Sequence, residues 1–252
     1  MINQDLHKNA QALDRSKHRA LRLDTKASDM QAMAKFNAFF VAGSEFRDAC
    51  KEYPVVFVHG GKDSEGKQVI APVAVFGLKV EQNLCIEGDE WRTRYVPAVM
   101  RTYPFAMARA AENRLVLCID EDWKGLGTDK GDPLFDDAGE PSEMTASVLK
   151  FLEAFEGDIE RTRMACSILL EKGLLRDMRF DATMPDGSNL GVEGFLAIDE
   201  DKLAQLPDAD VLAFHKNGLM ALIHGHQMSL SNMAKLVDWH VARLGSGAAA
   251  PA

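Results

Sequence analysis

Nowhere does this sequence offer the roughly 20 consecutive apolar residues that cross a bilayer as a helix. Its apolar runs are short pieces such as Val73–Leu78 and Leu115–Ile119, and no transmembrane segment is expected. The opening MINQDLHKNAQALDRSKHRALRLD is polar throughout. It lacks the apolar stretch of a secretory signal, so a cytoplasmic location is expected. Basic residues are also in deficit, with 29 Lys and Arg against 38 Asp and Glu and a formal charge of −9. Such a surface repels phosphate backbones and forgoes counterion release, which excludes nucleic acid as a natural partner. The cysteines Cys50, Cys85, Cys118 and Cys166 show no Cys-x-x-Cys spacing and lie mostly among apolar neighbours. Buried reduced thiols are expected, not disulfides or a zinc site. There is no internal repeat, and strands and helices alternate too irregularly for a doubly wound sheet.

What is present is an ordinary globular composition, 46% hydrophobic and 27% charged, over 252 residues. That length suits one large domain or a core with a smaller lobe. We expect a polar N-terminal arm over 1–30, mobile or strapped over the body, one globular domain over 31–244, and a flexible tail over 245–252. Apolar residues between Asp29 and Cys50 suggest helical turns. Pro54–Val58 and Val69–Leu78 flank a polar turn and predict a β-hairpin; Asp177–Thr183 and Gly191–Ile198 flank Pro-Asp-Gly and predict another. Short strands are expected at Asn83–Ile86 and Trp91–Tyr95, and a strand over Arg114–Ile119. Residues 96–111 read as helical after Pro97, interrupted at Pro104. A helix capped by Ser142 should break at Gly157 and resume over Ile159–Lys172. Helices follow from Lys202 to Leu244, with a bend at Gly225. The fold class is α+β: antiparallel hairpins packed with a helical middle and a C-terminal helical segment.

Five patterns invite a chemical reading. Gly61–Lys67 has the spacing of a phosphate-binding loop, but Gln68 stands where Ser or Thr would hold magnesium, and a strand follows instead of a helix. His59-Gly60-Gly61 resembles an oxyanion-hole turn, yet the chain has no Gly-x-Ser-x-Gly nucleophile elbow. His224-Gly225-His226 could ligate a metal jointly only if the helix unwound at Gly225, because alternate residues do not share a helical face. His226 and Ser229 form an i, i+3 pair without an evident acid to orient the histidine. The acidic loop Asp120–Gly139 fails as a calcium loop at Lys124 and lacks a glutamate at the twelfth position, so a solvated acidic surface is its default. No catalytic set is assigned, no metal ligand is called, and no cofactor is expected.

The fifth pattern is the aromatic and basic cluster Trp91, Arg92, Arg94, Tyr95, Arg101, Tyr103 and Phe105. Rigid amphipathic rings beside bidentate cations suit an acidic or amide-bearing ligand. The expected ligand-binding residues are therefore Trp91, Arg94, Tyr95, Arg101 and Tyr103, with His226 and Ser229 as polar partners.

The order of short motifs also resembles the SapC family of bacterial proteins. The pieces are His18–Leu23, Glu45–Phe46, Tyr53–Phe57, Pro72–Leu78, Asn83–Leu84, Trp91–Pro97, Arg101–Phe105, Leu117–Asp122, Leu134–Ser142, Leu149–Leu152, Gly194–Leu203 and His226–Asn232. They cover nearly the whole chain except its ends. Thr102 stands where the family carries a second basic residue before Tyr-Pro-Phe. The resemblance implies a role linked to surface-layer protein export or to loci with outer-membrane receptors and flavin-dependent halogenases, and brings no assigned reaction. The expected function is a non-enzymatic accessory protein that binds a small ligand, a peptide or a protein, with a homodimer left open. The alternative is an enzyme, metal-dependent or not, using His59, His226 or Asp120 at a site assembled from distant segments. A structural subunit that covers an apolar surface by self-association is the third reading.

Overall fold

The computed structural model describes residues 2–27, 30–110 and 114–245; the expected tail beyond Gly245 lies outside them. The chain divides into two compact units. The first takes Met1–Met33, Gly88–Glu90 and Ala98–Gly157, and the second Ala34–Glu87, Trp91–Pro97 and Asp158–Ala252. The span expected as one domain, 31–244, contributes to both. The fold class is α+β, with every registered strand pair antiparallel.

In the first unit the N-terminal segment is woven into the fold. Ala10–Ala12 pairs with Leu115–Asp120, which in turn pairs with Phe105–Arg109. Arg22–Leu23 pairs with Leu126–Gly127 and Asp132–Pro133, so the acidic loop is strapped down by the chain's own beginning. The apolar side chains of these strands, Leu23, Phe105, Met107, Leu117 and Ile119, close over Trp123, Leu134 and Leu152. Asp120 is wholly buried, and its carboxylate accepts the amides of Lys8 (2.9 Å), Asn9 (3.1 Å) and Asp122 (3.1 Å) and the Tyr103 hydroxyl (3.2 Å). A buried anion is tolerable only when its lone pairs are filled in this way.

The second unit holds a five-stranded sheet in the spatial order Leu175–Thr183, Asn189–Ile198, Val55–Lys62, Gln68–Val75, Ala38–Phe40. Both expected hairpins form, each closed by an exposed turn. In the first, the Asp63 carboxylate accepts the amides of Glu65 (2.9 Å) and Lys67 (2.8 Å), so the stretch with phosphate-loop spacing is a surface turn. Side chains alternate across the strand. Val56 packs with Met233 and Leu236 of the helix Asn232–Gly245, while the Phe57 ring meets His226 of the helix Leu219–Ser229 at 5.1 Å.

Three local expectations are corrected. The segment before Cys50 is a short helix (Met30–Met33), a strand (Ala38–Phe40) and a second helix (Phe46–Glu52), because Asn37 carbonyl bonds to Phe76 and Gly77 draw its middle into the sheet. Among the described residues of 96–110 the only helix is Ala98–Thr102, and the segment after Pro104, Phe105–Arg109, is strand. Gly157 does not break its helix, which runs unbroken over Glu143–Glu171. Glycine costs about 1 kcal/mol there, and a continuous buried stripe of Leu152, Phe155, Ile159, Thr162, Cys166 and Leu169 at helical spacing outweighs it. The helix Leu219–Ser229 continues through Gly225, which lies against the Phe46 ring. Ser142 caps the long helix through its hydroxyl, which accepts from Thr145 N at 3.2 Å.

Asp120→Ala removes the acceptor of three part-buried amides and of the Tyr103 hydroxyl, so we expect a loss of about 3 kcal/mol in urea unfolding. Faster proteolytic cutting near residues 8–12 should accompany it. An unchanged unfolding midpoint would show that the carboxylate does not hold the N-terminal strap.

Candidate functional site

His226, Ser229 and Asn232 project from one side of the C-terminal helices at i, i+3 and i+6. They face the seam where the two hairpins of the second unit's sheet meet. That seam carries one registered pair, Leu196 with Phe57. The same register would next pair Ile198 with Val55, and there the His226 ring enters the ladder. Its Nδ1 donates to the Val55 carbonyl (2.6 Å), and its Nε2 accepts from the Ile198 amide (3.2 Å). Ser229 Oγ accepts from the Val55 amide (2.9 Å) and donates to the His226 carbonyl (2.6 Å). Asn232 Nδ2 serves the carbonyls of Cys50 (2.9 Å), Tyr53 (3.2 Å) and Ser229 (3.1 Å), groups that helix ends leave without partners. His226 and Ser229 are completely buried, and burial drives the imidazole down to about 4, so the ring is neutral with its proton on Nδ1. This set completes a sheet, with both His226 ring nitrogens and the Ser229 hydroxyl bonded to backbone.

The remaining expected site residues fall in different places. Trp91, Arg94 and Tyr95 belong to the second unit, and Arg101 and Tyr103 to the first. Trp91 Nε1 donates to the hydroxyls of Tyr53 (2.8 Å) and Thr93 (2.7 Å), and the Tyr53 hydroxyl is held by Thr93 and the Tyr95 carbonyl. Burial pushes the Tyr53 phenol well above its ordinary value. Tyr95 donates to Glu45 Oε1 (2.7 Å), whose Oε2 accepts from the Ala42 amide (2.7 Å). Arg94 is exposed, and Arg101 lies 5.5 Å over the Phe151 ring. Tyr103 is spent on Asp120 and on an edge contact with His7 at 5.5 Å. Of the residues named for an enzyme, His59 is exposed beside Gln68 (3.2 Å), while His226 and Asp120 are buried with their acceptors filled. Among the described residues no three His, Cys, Asp or Glu side chains gather to hold a metal ion. The cysteines are unpaired, and burial pushes Cys85 and Cys166 up to about 12.

The concavity that sequence reasoning missed is a groove of about 1040 Å³ in the second unit. Its walls are the helix Phe46–Glu52, the later part of the helix Glu143–Glu171 and the helix Leu219–Ser229. Phe46, Leu222, Leu219 and Ile168 give it an apolar interior, Ala165 and Ala221 keep it deep, and Gly43 and Gly225 let the walls close on Leu222 and Phe46. Two hydrogen bonds pin the turn that leads into the first wall to the second wall: Gly43 N to Thr162 Oγ1 (2.8 Å) and Ser44 Oγ to Asp158 Oδ2 (2.8 Å). Arg47, Lys51 and Arg161 stand around it with one carboxylate, Asp158. The lining comes from three segments far apart in sequence, so no local spacing announces it; the exposed methionines Met164 and Met228 were the available hint. A smaller polar recess of about 230 Å³ in the first unit is bordered by Arg19 and Arg22. Their guanidinium groups bond the carbonyls of Asp137 and Gly131.

The SapC family model matches residues 13–236 of the chain. No curated protein and no solved structure matches it at a significant level.

The His226 ring should make stability pH-dependent in one direction. The unfolded chain takes up its proton near 6.5, and the native ring resists until about 4. The unfolded state therefore binds more protons across that window. Stability is full above pH 7 and falls by up to about 3 kcal/mol on descending through it. His226→Gln keeps a donor and an acceptor without titrating. Urea midpoints at pH 7.5 and 4.5 should differ less in the variant than in the native chain; an equal difference would remove His226 as the source.

Proposed function

This chain belongs to the SapC family, and we propose that it acts by binding, as a non-enzymatic cytoplasmic accessory protein of surface-layer export or receptor-linked uptake. The observation that carries this reading is the groove: apolar, roomy and open, in a unit where the buried His226 and Ser229 are committed to backbone. Binding sites in folded chains are concave and mostly apolar with a few polar groups at fixed places, and this groove has that character. Exposed methionine and apolar surface is costly to leave uncovered unless something covers it in use. The aromatic cluster fits into the same reading as support. Trp91 and Tyr95 brace the Tyr53 and Glu45 networks, Tyr103 secures Asp120, His226 and Ser229 join the sheet, and Arg94 and Arg101 are accessory surface. No helix among the described residues is long and apolar enough to cross a membrane.

A neutral solvatochromic dye, Nile red, tests the groove without engaging its charges. It should brighten and shift to the blue on binding the native chain at one site. Ala165→Trp, which fills the groove from the long helix, should abolish that signal, whereas Arg101→Ala and Trp91→Ala leave it intact in folded protein. Loss of the signal in Arg101→Ala or Trp91→Ala, with Ala165→Trp unaffected, would return the site to the aromatic cluster.

A further inference from the structure

We infer that the groove receives an amphipathic helix of a partner protein whose apolar stripe is flanked by acidic residues. This rests on the binding reading above and adds the chemistry of the occupant. Three observations converge on it. The walls are themselves helices, and the small lining residues Ala165 and Ala221 leave depth between them for side chains inserted at i, i+3 or i+4, and i+7. The opening is at the large end of the roughly 300–1,000 Å³ that small ligands occupy and is not roofed over, which suits a row of side chains entering from a helix better than a lone acyl chain. Met164 and Met228, 59% and 64% exposed, stand at the lining as adaptable surface.

The charge selects the flank. In a chain of net charge −9 the groove carries three cations against one carboxylate. Arg161 is paired with Asp158 and Lys51 with Asp48 (2.7 Å), while the Arg47 side chain is exposed with no ion pair among the described residues. An acidic flank would meet a locally positive rim and be steered to it, and a basic flank would be repelled. The chain's own nearest equivalent is the helix Asp208–Asn217, with Asp208 and Asp210 in its first turn and Val211 and Leu212 exposed. Asp210 is already held by Lys172 (2.7 Å), and two apolar side chains make a short stripe, so a partner is favoured over a second copy.

The test uses the full chain and three labelled sixteen-residue peptides read by fluorescence anisotropy. One has a leucine stripe with glutamate flanks, one the same stripe with lysine flanks, and one the acidic composition with the stripe scrambled. The glutamate-flanked peptide should bind at least about tenfold more tightly than either control, more weakly at high salt, and in competition with Nile red. Arg47→Glu with Arg161→Glu, both on exposed side chains, should reverse the preference between the acidic and basic flanks. Equal binding of both flanks, or displacement of Nile red by dodecanoate and by none of the peptides, would overturn the inference. A concentration-dependent dimer abolished by Ala165→Trp would overturn it in favour of a second copy. Nile red binding with no peptide bound would sink the helix and leave the binding reading standing; no Nile red binding at all would sink that reading as well.

Discussion

One step of a β-ladder in the second unit is made through a side chain. Where Ile198 and Val55 would exchange backbone hydrogen bonds, the His226 ring stands between the Ile198 amide and the Val55 carbonyl, and Ser229 takes the Val55 amide. A buried amide or carbonyl left bare costs of order 1–3 kcal/mol, so a seam that opens by the width of an imidazole must be filled by groups of matching polarity. Histidine can do this only when neutral and in one tautomer, which ties the protonation state of a single residue to the continuity of five strands.

The same contact sets where the helix Leu219–Ser229 can lie. With His226 and Ser229 turned to the sheet, Ala221, Gly225 and Met228 come round on a face roughly a third of a turn away, and that face is a wall of the groove. Gly43 completes the arrangement. A methyl group there would approach the Leu222 side chain to 3.1 Å, so glycine lets the 43–52 segment close on both helices at once. The polar seam and the apolar groove are two sides of one helix.

The extent to which this could be read from the sequence follows the range of the signals. Both hairpins announce themselves through β-branched runs and turn residues, and Ser142 announces a helix start, because those signals are local. The continuation of the long helix through Gly157 is decided by a stripe of buried side chains whose partners lie far away in sequence. The i, i+3 relation of His226 and Ser229 is visible as spacing, yet the spacing fits a catalytic pair as well as a pair bonded to backbone; only the position of Val55 separates the two. The aromatic cluster meets the same limit. Trp91, Tyr95 and Tyr103 are close in sequence, but each finds its partner, Tyr53, Glu45 or Asp120, in another segment.

What distinguishes the groove from these satisfied networks is that its geometry leaves something undone. In the seam, the Asp120 cradle and the Tyr53 cluster, each named donor meets an acceptor, and such closure is what a purely architectural role produces. At the groove the chain places Ala165 and Ala221 where larger apolar residues would gain burial of about 25 cal/mol per Å², and leaves two methionines in solvent. It also sets Arg47, exposed and without an ion pair among the described residues, beside them in a protein otherwise rich in acid. Stability alone would favour filling that space, so its persistence is better explained by an occupant that supplies the missing surface and the missing negative charge.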